Sequence, residues 1–109
     1  MPLDTSSFGR AIASARKDLG LSQKELATRI LKEEDGEAIT PQYLNDIEHD
    51  RRSPSSDHMV KQFASELQIS ANVLYLLARR VPGDVATANA SPEQIDRAFT
   101  AFRRALKGK

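Results

Sequence analysis

One pattern constrains the fold of this chain more than any other: six times, a serine or threonine is followed by apolar residues at helical spacing. Hydroxyl side chains cap helices because they accept hydrogen bonds from the free backbone N–H groups of the first turn. Apolar residues three or four positions apart line one face of a helix. No segment alternates apolar and polar residues as a half-buried strand does. The sequence therefore predicts an all-α protein whose helices begin at these caps: Ser6 or Ser7, Ser22, Thr40, Ser55 or Ser56, Ser70, and Ser91.

The predicted helices divide the 109-residue chain into a main body and an appendage. Five helices fall within residues 1–80, which is enough chain for one hydrophobic core but not for two domains. Residues 81–90 contain Pro82-Gly83 and several small residues, a composition typical of a linker. Residues 91–109 carry the sixth helix, with a proline at its first position. We therefore expect a five-helix bundle, a linker and an additional C-terminal helix.

The residues needed for catalysis or metal binding are scarce. The chain has no cysteine, which excludes disulfides and thiolate metal sites. Its histidines, His49 and His58, lie at the end of one predicted helix and the start of the next, where surface or capping roles are ordinary. There is no glycine loop for phosphates, no His-Glu-x-x-His and no Gly-x-Ser-x-Gly motif. We expect no enzyme activity, no metal and no cofactor.

Hydropathy and charge bear on where the chain works and what it binds. No run approaches the roughly 18 apolar residues that span a membrane, and the N-terminus lacks the features of a signal peptide. We expect a cytoplasmic protein with no membrane partner. The net charge is only +1, so the local distribution of charge decides whether a polyanion can bind. Arginines gather at 51–52 and 79–80, basic residues cluster in 97–109, and 33–37 is acidic.

Four segments occur in the order of a helix-turn-helix unit, in which one helix crosses the DNA backbone and the next lies in the major groove. They are Gly20-Leu-Ser-Gln-Lys-Glu-Leu-Ala27, Thr40-Pro-Gln-Tyr-Leu-Asn-Asp-Ile-Glu48, Arg51-Arg-Ser-Pro54 and Leu67-Gln-Ile-Ser-Ala-Asn-Val-Leu74. The run from about Phe8 to Ala78 resembles the phage-repressor and Cro-like (XRE-type) helix-turn-helix family. The resemblance implies a repressor-like bundle that binds double-stranded DNA and regulates transcription, with the helix beginning at Thr40 as the sequence reader.

The resemblance also implies roles for individual positions. Gln23, which opens the second helix, is implied to contact a phosphate, helped by the positive end of its helix. Thr40, Arg51 and Arg52 are further phosphate candidates. The first residues of the third helix are implied to face base edges: Pro41, Gln42, Tyr43, Asn45 and Asp46. Gln42 is the best reader because a carboxamide can donate and accept at once and so pair bidentately with adenine.

Some of these positions keep alternatives open. The ring of Tyr43 can meet a thymine methyl, its hydroxyl can meet a phosphate, or the residue can be a half-buried core aromatic. The carboxylate of Asp46 repels phosphates unless it accepts from a cytosine amine or pairs with an arginine. Arg51 and Arg52 can also be ordinary surface charges.

Arg16 and Glu48 match positions that pair between the first and third helices of the family. A guanidinium–carboxylate fork there would lock the reading helix to the scaffold. We therefore interpret this ion pair as structural.

The chain departs from the family pattern at two places. Residues 31–39 stand where the turn is usually three or four residues long. We expect this insertion to lengthen the second helix and to add a solvated acidic loop. Asp50 replaces the glycine common after the reading helix, and aspartate tolerates the left-handed conformation moderately well.

Proteins of this type commonly bind as two-fold dimers to inverted repeats about one helical turn apart. We therefore expect a homodimer on an inverted-repeat operator. The fifth helix, with Tyr75, Leu76 and Leu77, is one candidate interface. The interface that we favour is the apolar face of the last helix, and the alternative is that this face folds back on its own monomer. The face consists of Ile95, Phe99, Phe102 and Leu106.

A repressor is favoured over an activator because the sequence shows no separate effector-sensing domain. The alternative from another class is an antitoxin-like or protein-interaction module. In that hypothesis the tail after Val81 binds a partner protein, and the helix-turn-helix regulates its own operon. The tail distinguishes the two hypotheses.

Overall fold

Seven α-helices make up the described part of the chain, residues 2–108 of a computed structural model. In chain order they are α1 (Phe8–Asp18), α2 (Gln23–Ala27), α3 (Pro41–Glu48), α4 (Asp57–Leu67), α5 (Ala71–Ala78), α6 (Gly83–Ala86) and α7 (Pro92–Leu106). Residues 2–108 contain no strand, only an isolated antiparallel bridge between Leu31 and Ala38. None of these seven helices is long and apolar enough to cross a membrane. The all-α prediction is confirmed, and α1 to α5 are the five predicted bundle helices.

The predicted caps explain why the helices begin where they do. Five hydroxyls accept a hydrogen bond from a backbone N–H of the first turn: Ser7, Ser22, Thr40, Ser56 and Ser91. Two of these form full capping boxes, Ser22 with Glu25 and Ser91 with Gln94. The N–H of Ser22 lowers the pKa of Glu25 because it donates to the carboxylate. Ser70 is the N-cap residue that precedes α5, but its side chain makes no capping hydrogen bond.

The buried faces of the first five helices form one core. Phe63 of α4 is fully buried, and the ring of Phe8 meets it edge-on with 6.0 Å between the ring centroids. α1 packs against α3, α4 and α5, and α2 packs against α3. α1 is therefore the support on which α3 rests. The core consists of Phe8, Ala11, Ile12, Ala15, Leu26, Ala27, Ile30, Ile39, Leu44, Ile47, Met59, Val60, Phe63, Ala64, Leu67, Leu74 and Tyr75.

The prediction that residues 31–39 lengthen the second helix is wrong, because α2 ends before them. The insertion instead doubles back on itself. The Lys32 N–H donates to the Glu37 carbonyl at 2.8 Å, and the Ile39 N–H donates to the Ile30 carbonyl at 2.9 Å. Ile30 and Ile39 are both buried, so the chain leaves the core and re-enters it at neighbouring points. A helix that continued past Ile30 would carry the chain away from the place where Ile39 packs into the core.

A glutamine on α4 holds the stem of the insertion. The Leu31 N–H donates to Gln62 Oε1 at 2.8 Å, and Gln62 Nε2 donates to the Leu31 carbonyl. At the tip, Gly36 adopts the left-handed conformation with a φ of +72°, and its N–H donates to the Lys32 carbonyl at 2.8 Å. The acidic side chains of 33–35 and 37 are exposed, as expected for a solvated loop.

Asp50, which follows α3, adopts the left-handed conformation with a φ of +60°. Its carboxylate accepts hydrogen bonds from the Ser7 hydroxyl at 2.6 Å and from the Gly9 N–H at 2.9 Å. α1 and α3 approach each other closely here, since a Cβ added to Gly9 would lie 2.6 Å from the Glu48 carbonyl oxygen. The aspartate therefore ties the exit of α3 to the start of α1, which a glycine could not do.

The C-terminal part contains one more helix than predicted. Residues 81–90, expected to be a linker, include the single turn α6, whose Gly83 N–H donates to Asp57 Oδ2 at 2.8 Å. Arg80 Nε lies 3.4 Å from the other oxygen of the same carboxylate. α7 has no buried residue. The alternative in which its apolar face folds back on its own monomer is therefore not observed.

Candidate nucleic-acid interface

α3 buries one side and leaves the other accessible. Its buried residues are Leu44, Ile47 and Glu48. The predicted base readers are all exposed or half-buried: Pro41, Gln42, Tyr43, Asn45 and Asp46. The Thr40 hydroxyl accepts the Tyr43 N–H at 3.0 Å, which leaves the hydroxyl proton available to a further acceptor. The first turns of α3 therefore present polar groups on an accessible face.

A buried ion pair fixes the inner side of α3 to α1. Arg16 Nε donates to Glu48 Oε2 at 2.7 Å, and a terminal nitrogen of the same guanidinium donates to Glu48 Oε1 at 3.0 Å. The two side chains are only 11% and 4% exposed. The remaining guanidinium nitrogen donates to the Leu21 carbonyl at 2.9 Å. This two-pronged contact sets the rotation of α3 about its axis.

Gln23 is joined to α3 rather than held out towards solvent. Its Nε2 donates to Glu48 Oε1 at 2.8 Å and to Asn45 Oδ1 at 3.2 Å. A phosphate accepts hydrogen bonds and cannot donate them, so only the N–H groups of this amide could serve it. In this conformation those N–H groups are engaged within the chain. The geometry therefore gives Gln23 a positioning task that the resemblance does not imply.

Asp46 connects two of the exposed polar side chains. Its Oδ1 accepts a hydrogen bond from Gln42 Nε2 at 3.1 Å. The same oxygen accepts from Arg51 Nε at 3.1 Å and lies 3.0 Å from an outer nitrogen of that guanidinium. Of the two alternatives open for Asp46, the structure contains the pairing with an arginine. That pairing offsets the repulsion which an isolated carboxylate would exert on phosphates.

Tyr43 and Arg52 form a second exposed contact beside the first. The guanidinium carbon of Arg52 lies 4.4 Å from the centroid of the Tyr43 ring, a distance at which the cation is attracted to the ring face. The Tyr43 ring is half-buried and packs against the core. Arg52 is thereby held next to α3, although its side chain remains exposed.

Apart from Thr40 and Pro41, the predicted site residues of the bundle fall into two groups. Behind the accessible face of α3 lies the support group: Arg16, Gln23, Asn45 and Glu48. On the accessible face lies the reading group: Gln42, Asp46, Arg51, Tyr43 and Arg52. The predicted dimer residues of α7 belong to neither group.

Sequence reasoning missed several of these contacts, and two of them show different reasons. Gln42 and Asp46 are four residues apart on one helix, the spacing at which side chains are neighbours, so their hydrogen bond could have been predicted. Gln23 and Asn45 lie on different helices, and nothing in their spacing indicates that they meet.

Comparison with known proteins agrees with this geometry. The sequence model of a helix-turn-helix family matches residues 12–74, which is more than half of the chain. The matched stretch begins in α1, contains α2 and α3, and ends in α5. No curated protein and no solved structure gave a significant match. The chain therefore belongs to the XRE-type helix-turn-helix family of DNA-binding regulatory domains.

Proposed function

We propose that this protein is a sequence-specific regulator of transcription that reads the major groove of double-stranded DNA with the first turns of α3. The observation that carries the proposal is the pre-arranged reading group on a helix whose inner side is locked to α1. The major groove admits an α-helix, and each base pair presents a distinct pattern of donors and acceptors there. A helix held in one rotation keeps the same side chains directed at that pattern.

Gln42 is the base reader in this proposal. One N–H of its carboxamide is given to Asp46, and the second N–H and Oε1 remain for a ligand. Those two groups are the donor and acceptor that a bidentate contact with adenine requires. Asp46 is then a positioning residue, because it fixes the amide of Gln42 without itself meeting a base. Pro41 and Tyr43 supply shape and apolar contact around this reader. The side-chain oxygen of Asn45 accepts from Gln23, and its N–H groups remain for a polar contact with a base.

Phosphate contacts are assigned to the edge of the same surface. Arg51 and Arg52 follow α3, and each is anchored at one point, to Asp46 and to the Tyr43 ring respectively. Both guanidinium groups are exposed and have further N–H donors to offer. The Thr40 hydroxyl is the third candidate. Gln23 could reach a phosphate only by giving up a hydrogen bond to Asn45 or Glu48.

A homodimer on an inverted-repeat operator is the assembly that we propose for this function. One reading helix covers few base pairs, and two copies related by a two-fold axis double the contact area on a palindromic site. We further propose repression, since a dimer seated in the groove at a promoter excludes other proteins by occupying the DNA.

A binding selection from a random duplex library, followed by a reporter assay on the selected site, tests the function directly. We expect enrichment of one inverted repeat and lower reporter expression when the protein is present. A library that stays unenriched after repeated rounds would contradict sequence-specific binding, and rising expression would contradict repression.

Replacing Gln42 with alanine is expected to reduce discrimination at one base pair of each half-site by about 2 kcal/mol, since one bidentate contact is lost. The measurement is a comparison of dissociation constants for the selected operator, its single-base variants and a random duplex. Asp46→Ala should reduce part of the same discrimination, because it frees the amide of Gln42.

The matched control for this prediction is Arg52→Ala. Loss of a phosphate contact should weaken binding to all duplexes alike and reduce the dependence of affinity on salt concentration. Equal losses on operator and random duplex for Gln42→Ala would remove Gln42 from the base-reading role.

A second candidate function is favoured by one observation, the uncovered apolar face of α7. An antitoxin-like or other protein-interaction module would use that face to bind an unrelated partner protein. Capture of the face by a second copy of the same chain distinguishes the dimeric regulator from this alternative.

A further inference from the structure

The uncovered face of α7 has an internal symmetry. Its four large apolar side chains are between 45% and 62% exposed: Phe102 45%, Ile95 48%, Phe99 51% and Leu106 62%. Successive members are separated by four, three and four positions. This spacing keeps them in one stripe along the helix, as in a coiled-coil seam. The order of these separations is the same in both directions, so the stripe is symmetric about its own midpoint, between Thr100 and Ala101.

We propose that α7 pairs with α7 of a second copy of this chain and that the two helices run antiparallel. In that orientation Ile95 faces Leu106 of the second copy, and Phe99 faces Phe102 of the second copy. A two-fold axis through the middle of the stripe makes the interface self-complementary, as the contact between two identical subunits requires. The inference deepens the homodimer of the proposed function by naming its interface and orientation.

The residues that border the stripe select the orientation. At about 100° per residue, Asp96 and Arg103 lie on one border, whereas Ala98 and Ala105 lie on the other. The guanidinium carbon of Arg103 is 6.0 Å from the centroid of the Phe99 ring, beside the stripe. Side chains at these bordering positions set partner choice and orientation when two helices pair.

Antiparallel pairing brings the same border of each helix together. Asp96 of one copy then lies beside Arg103 of the other, and this ion pair occurs twice in the dimer. On the opposite border alanine meets alanine, which allows close approach. Parallel pairing would bring the charged border of one helix beside the alanine border of the other. Asp96 and Arg103 would then both face alanines, and no ion pair would form.

The distribution of charge along α7 agrees with this orientation. The first half contains Glu93, Asp96 and Arg97 and is acidic on balance, whereas Arg103, Arg104 and Lys107 lie in or just after the second half. Antiparallel helices place the acidic half of one copy beside the basic half of the other, and their macrodipoles also oppose each other. A second copy of this chain is therefore the partner that fits the face.

Charge reversals in the full-length chain, followed by sedimentation velocity over a range of concentrations, test the proposal. Asp96→Arg and Arg103→Asp should each weaken self-association by about tenfold, because each change turns two attractive contacts into repulsive ones. An equimolar mixture of the two variants should recover wild-type affinity as a heterodimer, since every contact between the two chains is again of opposite sign. Circular dichroism checks that these exposed substitutions leave the fold unchanged.

Arg104→Asp is the matched control, because it makes the same charge change on the side of α7 away from the stripe and should leave self-association near the wild-type level. A wild-type chain that stays monomeric up to about 100 μM, well above the range of specific interfaces, would overturn the proposal. Binding of that monomer to anionic vesicles would then assign the face to a membrane surface. If Asp96→Arg and Arg103→Asp both self-associate as tightly as the wild type, the antiparallel orientation is wrong.

DNA binding is measured in a separate assay, so that the proposed function and the proposed pairing of α7 can fail independently. None of these substitutions touches α3, and affinity for a single half-site of the selected operator should be unchanged in each variant. Loss of half-site binding by the wild-type chain itself would count against the proposed function and not against the pairing of α7.

Discussion

The Glu48→Ala variant is expected to lose about 3–5 kcal/mol of its free energy of unfolding. Glu48 accepts two hydrogen bonds from Arg16 and one from Gln23, and its side chain is only 4% exposed. Without the carboxylate, the guanidinium of Arg16 stays in the interior with no opposite charge. The expected loss therefore comes mainly from an unpaired buried charge and less from the contact itself.

Urea denaturation followed by circular dichroism measures this effect. Glu66→Ala is a matched control, because it removes a glutamate from the half-exposed pair in which Arg29 and Glu66 are 3.9 Å apart. That control should change the free energy of unfolding by about 0.5 kcal/mol or less. The double variant Arg16→Met, Glu48→Leu should be more stable than Glu48→Ala, because it leaves no charge unpaired. A loss of less than about 1 kcal/mol in Glu48→Ala would contradict the argument.

The Gly9→Ala variant is expected to lose about 3 kcal/mol of its free energy of unfolding, at the upper end of the range for overpacked sites. Alanine is the better helix former, so intrinsic propensity alone predicts a gain at this position. In the structure, however, an added Cβ would collide with the carbonyl oxygens of Ile47 and Glu48. These two obstacles are backbone atoms, and a third is the Asp50 carboxylate oxygen at 2.7 Å, so α1 and α3 would have to move apart.

The Gly20→Ala variant is the control that distinguishes the effect of this collision from the effect of backbone strain alone. Gly20 has a φ of +71° and no atom within 4 Å of an added Cβ, so its loss should be about 1 kcal/mol, from conformation alone. Thermal and urea denaturation of both variants give the comparison. If Gly9→Ala proves as stable as the wild type, the close approach of α1 and α3 is not as the structure has it.

Local signals explain why so much of the fold could be predicted. A cap and its first turn involve residues three positions apart, and the bonds of Ser7, Ser22 and Ser91 form from those neighbours alone. The left-handed conformation of Asp50 is expected from the family pattern, in which a glycine is common at this position. Sequence reasoning therefore recovered the features that depend on neighbours along the chain or on the family pattern.

The insertion shows where such reasoning ends. Residues 31–34 have good helix propensity, and the sequence alone favours an extension of α2. The outcome depends on two distant partners, the core that takes up Ile39 and the amide of Gln62 on α4. Neither partner is near the insertion in sequence, so tertiary contacts overrode the local preference.

The candidate site divides in the same way. The pairing of Arg16 with Glu48 follows from the family resemblance, and the hydrogen bond between Gln42 and Asp46 follows from helical spacing. The engagement of Gln23 could not be deduced, because it depends on the angle at which α2 meets α3. The structure shows Gln23 bound to Glu48 and Asn45 of α3, and its contact with a phosphate stays a prediction.

The closed stem of the insertion has a practical consequence for engineering. Hydrogen bonds between Ile30 and Ile39 and between Lys32 and Glu37 fix the two ends of the loop before its tip begins. The spacing of those ends does not depend on what connects them. We therefore expect that a peptide tag, a fluorophore or a spin label can be attached at the exposed tip, residues 33–36, without displacing α3.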